Sequence, residues 1–144
     1  MANGRIAQDA LNRFAARRSE ERAKKLAALL ALINTLRTKG LSRTRAAEAV
    51  VEIALAVRDE GIDWGELRLK EEDLPALENS AVIRYLKGFI RRLRMEQDLP
   101  PETVNGWRLA IVNEISASYG SVTWDRLGTN GNELATLVKR ASGE

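Results

Sequence analysis

LINTLRTKGLSRTRAAEAVVEIALAVRDEGIDWGEL, residues 32–67, returns in outline as FIRRLRMEQDLPPETVNGWRLAIVNEISASYGSVTWDRL at residues 89–127. Each stretch reads as the end of one helix, a short loop opening on Leu41 or Leu99, a longer helix closed by Gly61 or Gly120, and then Trp-x-x-Leu. In the first, Ser42 is a suitable N-cap, and Ala46, Ala49, Val50, Ile53, Leu55 and Val57 make a wide apolar face behind it. In the second, Pro100 and Pro101 suit a first turn, and Val104, Trp107, Leu109, Ile111, Val112 and Ile115 supply the core face. No alternating strand pattern competes anywhere. The reading is an all-α compact domain of five to six helices, built from two pseudo-repeated helix hairpins.

The closing phrases IDWGEL (62–67) and VTWDRL (122–127) read as helix starts. Asp63 caps the first, with Glu66 as the returning half of a capping box, and Ile62 and Leu67 form a hydrophobic staple around it. Val122, Thr123 and Leu127 fill the same slots in the second. Trp64 and Trp124 cover the joints, so a packing role explains both without a ligand.

Outward from these hairpins, Ile6, Ala10, Leu11 and Phe14 recur at helical spacing, residues 17–25 are polar all round, and Leu26, Leu29, Leu30, Ile33 and Leu36 form a stripe that should be buried. That run ends at Lys39-Gly40, where a glycine just past the last turn is a C-terminal signal. One helix over 5–38, or two joined near Ser19, are both open. KEEDLPALENS (70–80) is an acidic connection holding a short helix over 71–77. Val82, Ile83, Leu86, Phe89, Ile90 and Leu93 face inward from the next helix, and Leu134, Leu137 and Val138 from the last. The organisation is thus a single helical domain over 1–144. Its parts are a basic N-terminal arm or helix at 1–25, a first hairpin at 26–67, an acidic connection at 68–81, a second hairpin at 82–127 and a C-terminal helix at 128–144.

The chain has neither cysteine nor histidine. Disulfides, thiolate nucleophiles and the commonest general base and zinc ligands are absent with them. No acidic loop has calcium-site spacing, so neither metal nor cofactor is expected, and the chain reads as a non-enzyme. The opening MANGRIAQDALNRF lacks the apolar centre of a signal peptide, and no apolar run reaches membrane-spanning length. Cytoplasmic location is the expectation, with no membrane partner.

The net charge of +3 conceals an asymmetry. Residues 1–45 balance at +8, residues 46–80 at −7 and residues 81–144 at +2. The candidate nucleic-acid contacts are Arg17, Arg18, Arg22, Lys24, Lys25, Arg43 and Arg45 in the first block, and Arg84, Lys87, Arg91, Arg92 and Arg94 in the third. Arg84, Lys87 and Arg91 fall at i, i+3 and i+7, one polar face of a helix opposite Ile83, Leu86 and Ile90. Such a strip suits phosphate neutralisation. A solvated face balanced by the acidic block is the competing explanation.

The stretch YLKGFIRRLRMEQDLPPETVNGWRLAIVNEISASYGSVTW, and LPPETVNGW (99–107) within it, resembles the helical core-binding (SAM-like) domain of phage-integrase-type tyrosine recombinases. LSRTRAAEAV (41–50) carries a fainter likeness. The resemblance implies a helical DNA-clamping unit. It does not extend to that family's catalytic domain, which needs a histidine this chain lacks.

Two functional expectations follow. The first is a non-enzymatic, DNA-associated accessory or regulatory protein of a phage or other mobile element, gripping the backbone through basic helix faces. The alternative is a small helical protein–protein interaction module that modulates or inhibits a host or partner protein, using the acidic residues Glu60, Glu66, Glu71, Glu72 and Asp73. The exposed stripe at 5–18 would also suit a homodimer.

Overall fold

The computed structural model describes the backbone of residues 2–143 and the side chains of residues 7–143. Seven α-helices follow one another: α1 (Ala2–Thr38), α2 (Arg43–Asp59), α3 (Trp64–Leu67), α4 (Leu74–Met95), α5 (Pro101–Ala117), α6 (Trp124–Leu127) and α7 (Gly131–Ala141). A single 3-10 turn, Glu71–Asp73, leads into α4. Among the described residues there is no strand, so the fold is all-α. None of these helices is long and apolar enough to cross a membrane. Ile6 belongs to α1, but its side chain lies outside the described residues.

The centre of the molecule is α4. Its stripe Ala81, Val82, Leu86, Ile90 and Leu93 is buried against Leu29, Ile33 and Leu36 of α1, Ala46, Ala49 and Ile53 of α2, and Leu134 and Leu137 of α7. Spacing of three and four residues puts each set on one helical face, and area removed from water stabilises their union. Leu30, Leu55 and Leu109, assigned to the core by periodicity, are each 41% exposed. They stand on the margins of their stripes, where no facing helix arrives.

The first helix is continuous. Polar residues at 17–25 do not interrupt it, because a helix rich in Ala, Arg, Lys and Glu needs no buried face to propagate. Described side chains from residue 7 through residue 24 are all exposed; Arg18 to Arg22 lie beside Glu60 and Ile62, and the part before them, residues 7–17, projects beyond the body by about 16 Å at about 1.5 Å per residue.

Three local expectations are revised. Gly40 does not adopt a left-handed conformation. A Cβ there would stand 2.7 Å from the Tyr85 backbone nitrogen and 2.8 Å from its Cα, so glycine is demanded by the close crossing of the α1–α2 loop over α4. The loop is fixed to α4 by Leu41 N–H donating to the Ala81 carbonyl at 3.0 Å. Secondly, helix α4 begins at Leu74, inside the supposed acidic connection. Pro75 sits in its first turn, where a missing N–H costs nothing. Thirdly, Asp63 makes no side-chain cap bond, and Glu66 turns instead to Arg22.

The two Trp-x-x-Leu turns are nonetheless alike. Leu67 N–H donates to the Asp63 carbonyl as Leu127 N–H does to that of Thr123, and each turn closes on a left-handed residue, Arg68 or Gly128. Thr123 Oγ1 accepts from Arg126 N–H at 3.3 Å, completing a cap that the first turn lacks.

Candidate functional site

The twelve cations proposed from sequence separate into those spent on structure and those left facing solvent. Arg43 is the clearest of the first kind. Its Nη1 donates to Glu78 at 2.5 Å and to Asn79 at 2.9 Å, and its Nε to Glu114 at 2.8 Å. Burial alone would lower its pKa, but the hydrogen bonds to Glu114 and Glu78 outweigh that and raise it. Arg22 grips Glu66 with two bonds, of 2.5 and 3.0 Å, and the Gly61 carbonyl with a third. That grip holds the Glu66 carboxyl below the usual carboxylate range. Lys25 lies 3.5 Å from Glu52 and 3.7 Å from Glu60.

On α4, Arg94 pairs with Glu133 at 2.5 Å and donates to the Gly128 carbonyl, tying α4 to α7. Arg92 bonds Glu96 and lies 4.7 Å above the Trp107 ring, which stacks on Phe89. These pairings compete directly with phosphate, so Arg22, Lys25, Arg43, Arg92 and Arg94 are poor backbone contacts.

Arg84 differs. Its Nη1 donates 2.8 Å bonds to the carbonyls of Leu36 and Lys39, and its Nη2 to Ser80 Oγ. It satisfies the open end of α1 but meets no carboxylate, so its positive charge is not cancelled. Lys87 and Arg91 are exposed on the same side of α4. Two shallow depressions adjoin there. One is lined by Ser80, Ile83, Arg84, Lys87 and Arg126, the other by Lys87, Ile90, Arg91, Arg94, Met95, Leu127 and Gly128. No Asp or Glu lines either. Among the described residues Lys87, Arg91 and Arg126 form no ion pair.

Arg126 was missed by sequence reading. It belongs to VTWDRL, 39 residues from Lys87, and only the packing of α6 on α4 brings it there. Arg17, Arg18 and Lys24 are exposed on α1, with Arg18 5.7 Å from the Phe14 ring centre and beside the depression that Glu60 and Ile62 line. Arg45 is exposed on the first turn of α2 and lines neither α4 depression.

The acidic residues proposed as an alternative partner surface do not form one. Glu66 is held by Arg22, Glu71, Glu72 and Asp73 form the 3-10 turn before α4, and Asp73 is used to accept from Lys70 N–H at 3.0 Å. Glu60 alone joins a larger feature, a groove of about 650 Å³ along α2 with Val51 and Leu55 on its floor and Glu48, Glu52 and Asp59 on its rim. Those three carboxylates share one helical stripe with Val51 and Leu55, a signal present in the sequence, where periodicity instead counts Leu55 with the core face. Among the described residues no cluster of three potential metal ligands occurs.

No family model matches this sequence, and neither a curated protein nor a solved structure matches it.

Proposed function

We propose that the protein is a non-enzymatic, DNA-associated accessory factor that holds the phosphate backbone on the α4–α6 face. The observation that carries this reading is the grouping of Arg84, Lys87, Arg91 and Arg126 around two adjoining depressions that no carboxylate lines. Phosphates satisfy such a surface by displacing counterions, with no base contact required. Backbone contacts carry no sequence information of their own, so sequence preference should be slight. The likeness of residues 99–107 to recombinase core-binding domains motivates a mobile-element setting and cytoplasmic location.

The test is fluorescence anisotropy with a labelled random duplex at about 50 and 200 mM salt. Micromolar binding at the lower salt should fall steeply at the higher. Replacing Lys87, Arg91 and Arg126 together by alanine should flatten the logarithmic salt slope by about 3. An unchanged slope in that exposed-residue variant, or no wild-type binding at the lower salt, would sink the proposal.

The groove on α2 favours a second reading, a helical protein-docking module. It concerns the opposite charge and a different helix, and its occupant can be argued separately.

A further inference from the structure

Met95 and Tyr119 are exposed singly, but two pairs of exposed apolar side chains sit one turn apart on a helix. Leu11 and Phe14, 61% and 58% exposed, lie on the projecting part of α1, and Val51 and Leu55, 54% and 41% exposed, lie on α2. At 3.6 residues per turn Leu11 and Phe14 stand five turns from Leu29 and Leu32. They therefore continue the face of α1 that buries Leu29, Ile33 and Leu36, but past the edge of the body.

The groove on α2 complements it. Glu48, Glu52, Asp59 and Glu60 rim the Val51–Leu55 floor; Lys25 on the same rim meets Glu52 and Glu60, and Arg58 holds Asp59, so the rim stays net negative with Glu48 in no ion pair among the described residues. The projecting helix offers Arg17 and Arg18 one turn beyond Phe14, while Asp9 points about 140° away from Phe14 around the helix. The spacings match as well. Leu11, Phe14 and Arg18 are separated by three and four residues, and Val51, Leu55 and Asp59 by four and four.

We propose that a second copy of this chain fills the groove, each protomer laying its α1 arm along the α1–α2 groove of the other. The contacts of Lys25 with Glu52 and Glu60 set α1 level with the Leu55 turn of α2, since the two helices form an antiparallel hairpin. A two-fold axis perpendicular to α1, passing beside it at the level of Glu20 so that the two α1 helices lie side by side and antiparallel, then brings Phe14 level with Leu55 of the other copy and Leu11 level with Val51. Arg17 and Arg18 come level with Asp59 and Glu60, whose carboxylates they share with Arg58 and Lys25. The same axis keeps both core-facing stripes on one side, so each arm meets its neighbour's body. Such a contact is self-complementary and closes as a dimer. A foreign helix in the groove would leave Leu11 and Phe14 in water, whereas a second copy covers both patches at once. This inference does not depend on nucleic-acid binding.

Sedimentation equilibrium of the full chain at about 100 μM should give twice the 16.0 kDa chain mass. Two charge-reversed variants, Arg17→Glu with Arg18→Glu and Asp59→Arg with Glu60→Arg, should each weaken association at least tenfold. Mixed in equal amounts they should pair, because both arm–groove contacts in the mixed dimer again join opposite charges. The chain has no native cysteine, so Phe14→Cys with Leu55→Cys should give a disulfide-linked dimer on mild oxidation. A monomeric wild type at that concentration overturns the proposal. So does a dimer indifferent to either reversal, or a mixture that stays monomeric while both variants keep wild-type circular dichroism.

Discussion

Gly40 shows how a residue can be read correctly in type and wrongly in cause. Its place after Lys39 suggested a left-handed helix cap, a role that an asparagine would share. The structure instead gives it the narrowest approach to another backbone, with Tyr85 nitrogen and Cα inside 3.0 Å of where a Cβ would sit. Neither atom belongs to a flexible side chain, so the two helices must part to admit a methyl group. Gly40→Ala should therefore destabilise the fold by about 2–3 kcal/mol, as overpacking does in other tight sites. A Gly61→Ala control meets open space but keeps the strain of its positive φ. Urea unfolding of both variants separates steric from conformational cost, and an unaffected midpoint for Gly40→Ala would show that the crossing is looser than described.

At the scale of the element, the sequence was readable wherever helix boundaries are set locally. Ser42 accepts from Arg45 N–H, Pro101 opens α5, and Asn130 caps α7 through Glu133 N–H, all contacts within three residues. The start of α4 was hidden because Glu71–Asp73 has the polarity of a linker, and its helical fate depends on Leu74 being buried by distant helices. The candidate site was less legible still. Arg43 meets partners 35, 36 and 71 residues away, and nothing in RTRAAEAV distinguishes it from the exposed Arg45 two positions on. Arg84 likewise serves the junction between two helices. Its planar fork bonds the Leu36 carbonyl in the last turn of α1, the Lys39 carbonyl just past it and Ser80 together, which a lysine ammonium at the end of a flexible stem reproduces poorly. Arg84→Lys should thus cost about 1 kcal/mol of stability while leaving duplex affinity within twofold, because the charge is retained. Chemical denaturation and anisotropy on the same variant check both halves, and an affinity loss without a stability loss would make Arg84 a direct phosphate ligand rather than a helix clamp.

The whole molecule keeps its charges in separate territories: a free cationic helix, an acid-rimmed groove on α2, and an uncancelled cationic face on α4 and α6. With no histidine in the chain, no side chain with an ordinary pKa changes charge between about pH 6 and 8. Stability, self-association and duplex binding should accordingly be flat across that window. The acid side is different. Hydrogen bonding to Arg22 depresses the Glu66 carboxyl, and hydrogen bonding to Arg58 depresses that of Asp59. A carboxyl that protonates at lower pH when folded than when unfolded stabilises the fold above the unfolded value, and that contribution is lost as pH falls through the folded one. Both pairs are solvent-exposed, so each contributes little alone. The Glu66 contribution should therefore be present at pH 7 and fade on the acid side, and Glu66→Gln, which lacks the depressed carboxyl, should lose less stability between pH 7 and about pH 3 than the wild type. Urea unfolding followed by circular dichroism at the two pH values checks this, and an equal loss in both proteins would show that the Arg22–Glu66 pair contributes nothing to the fold.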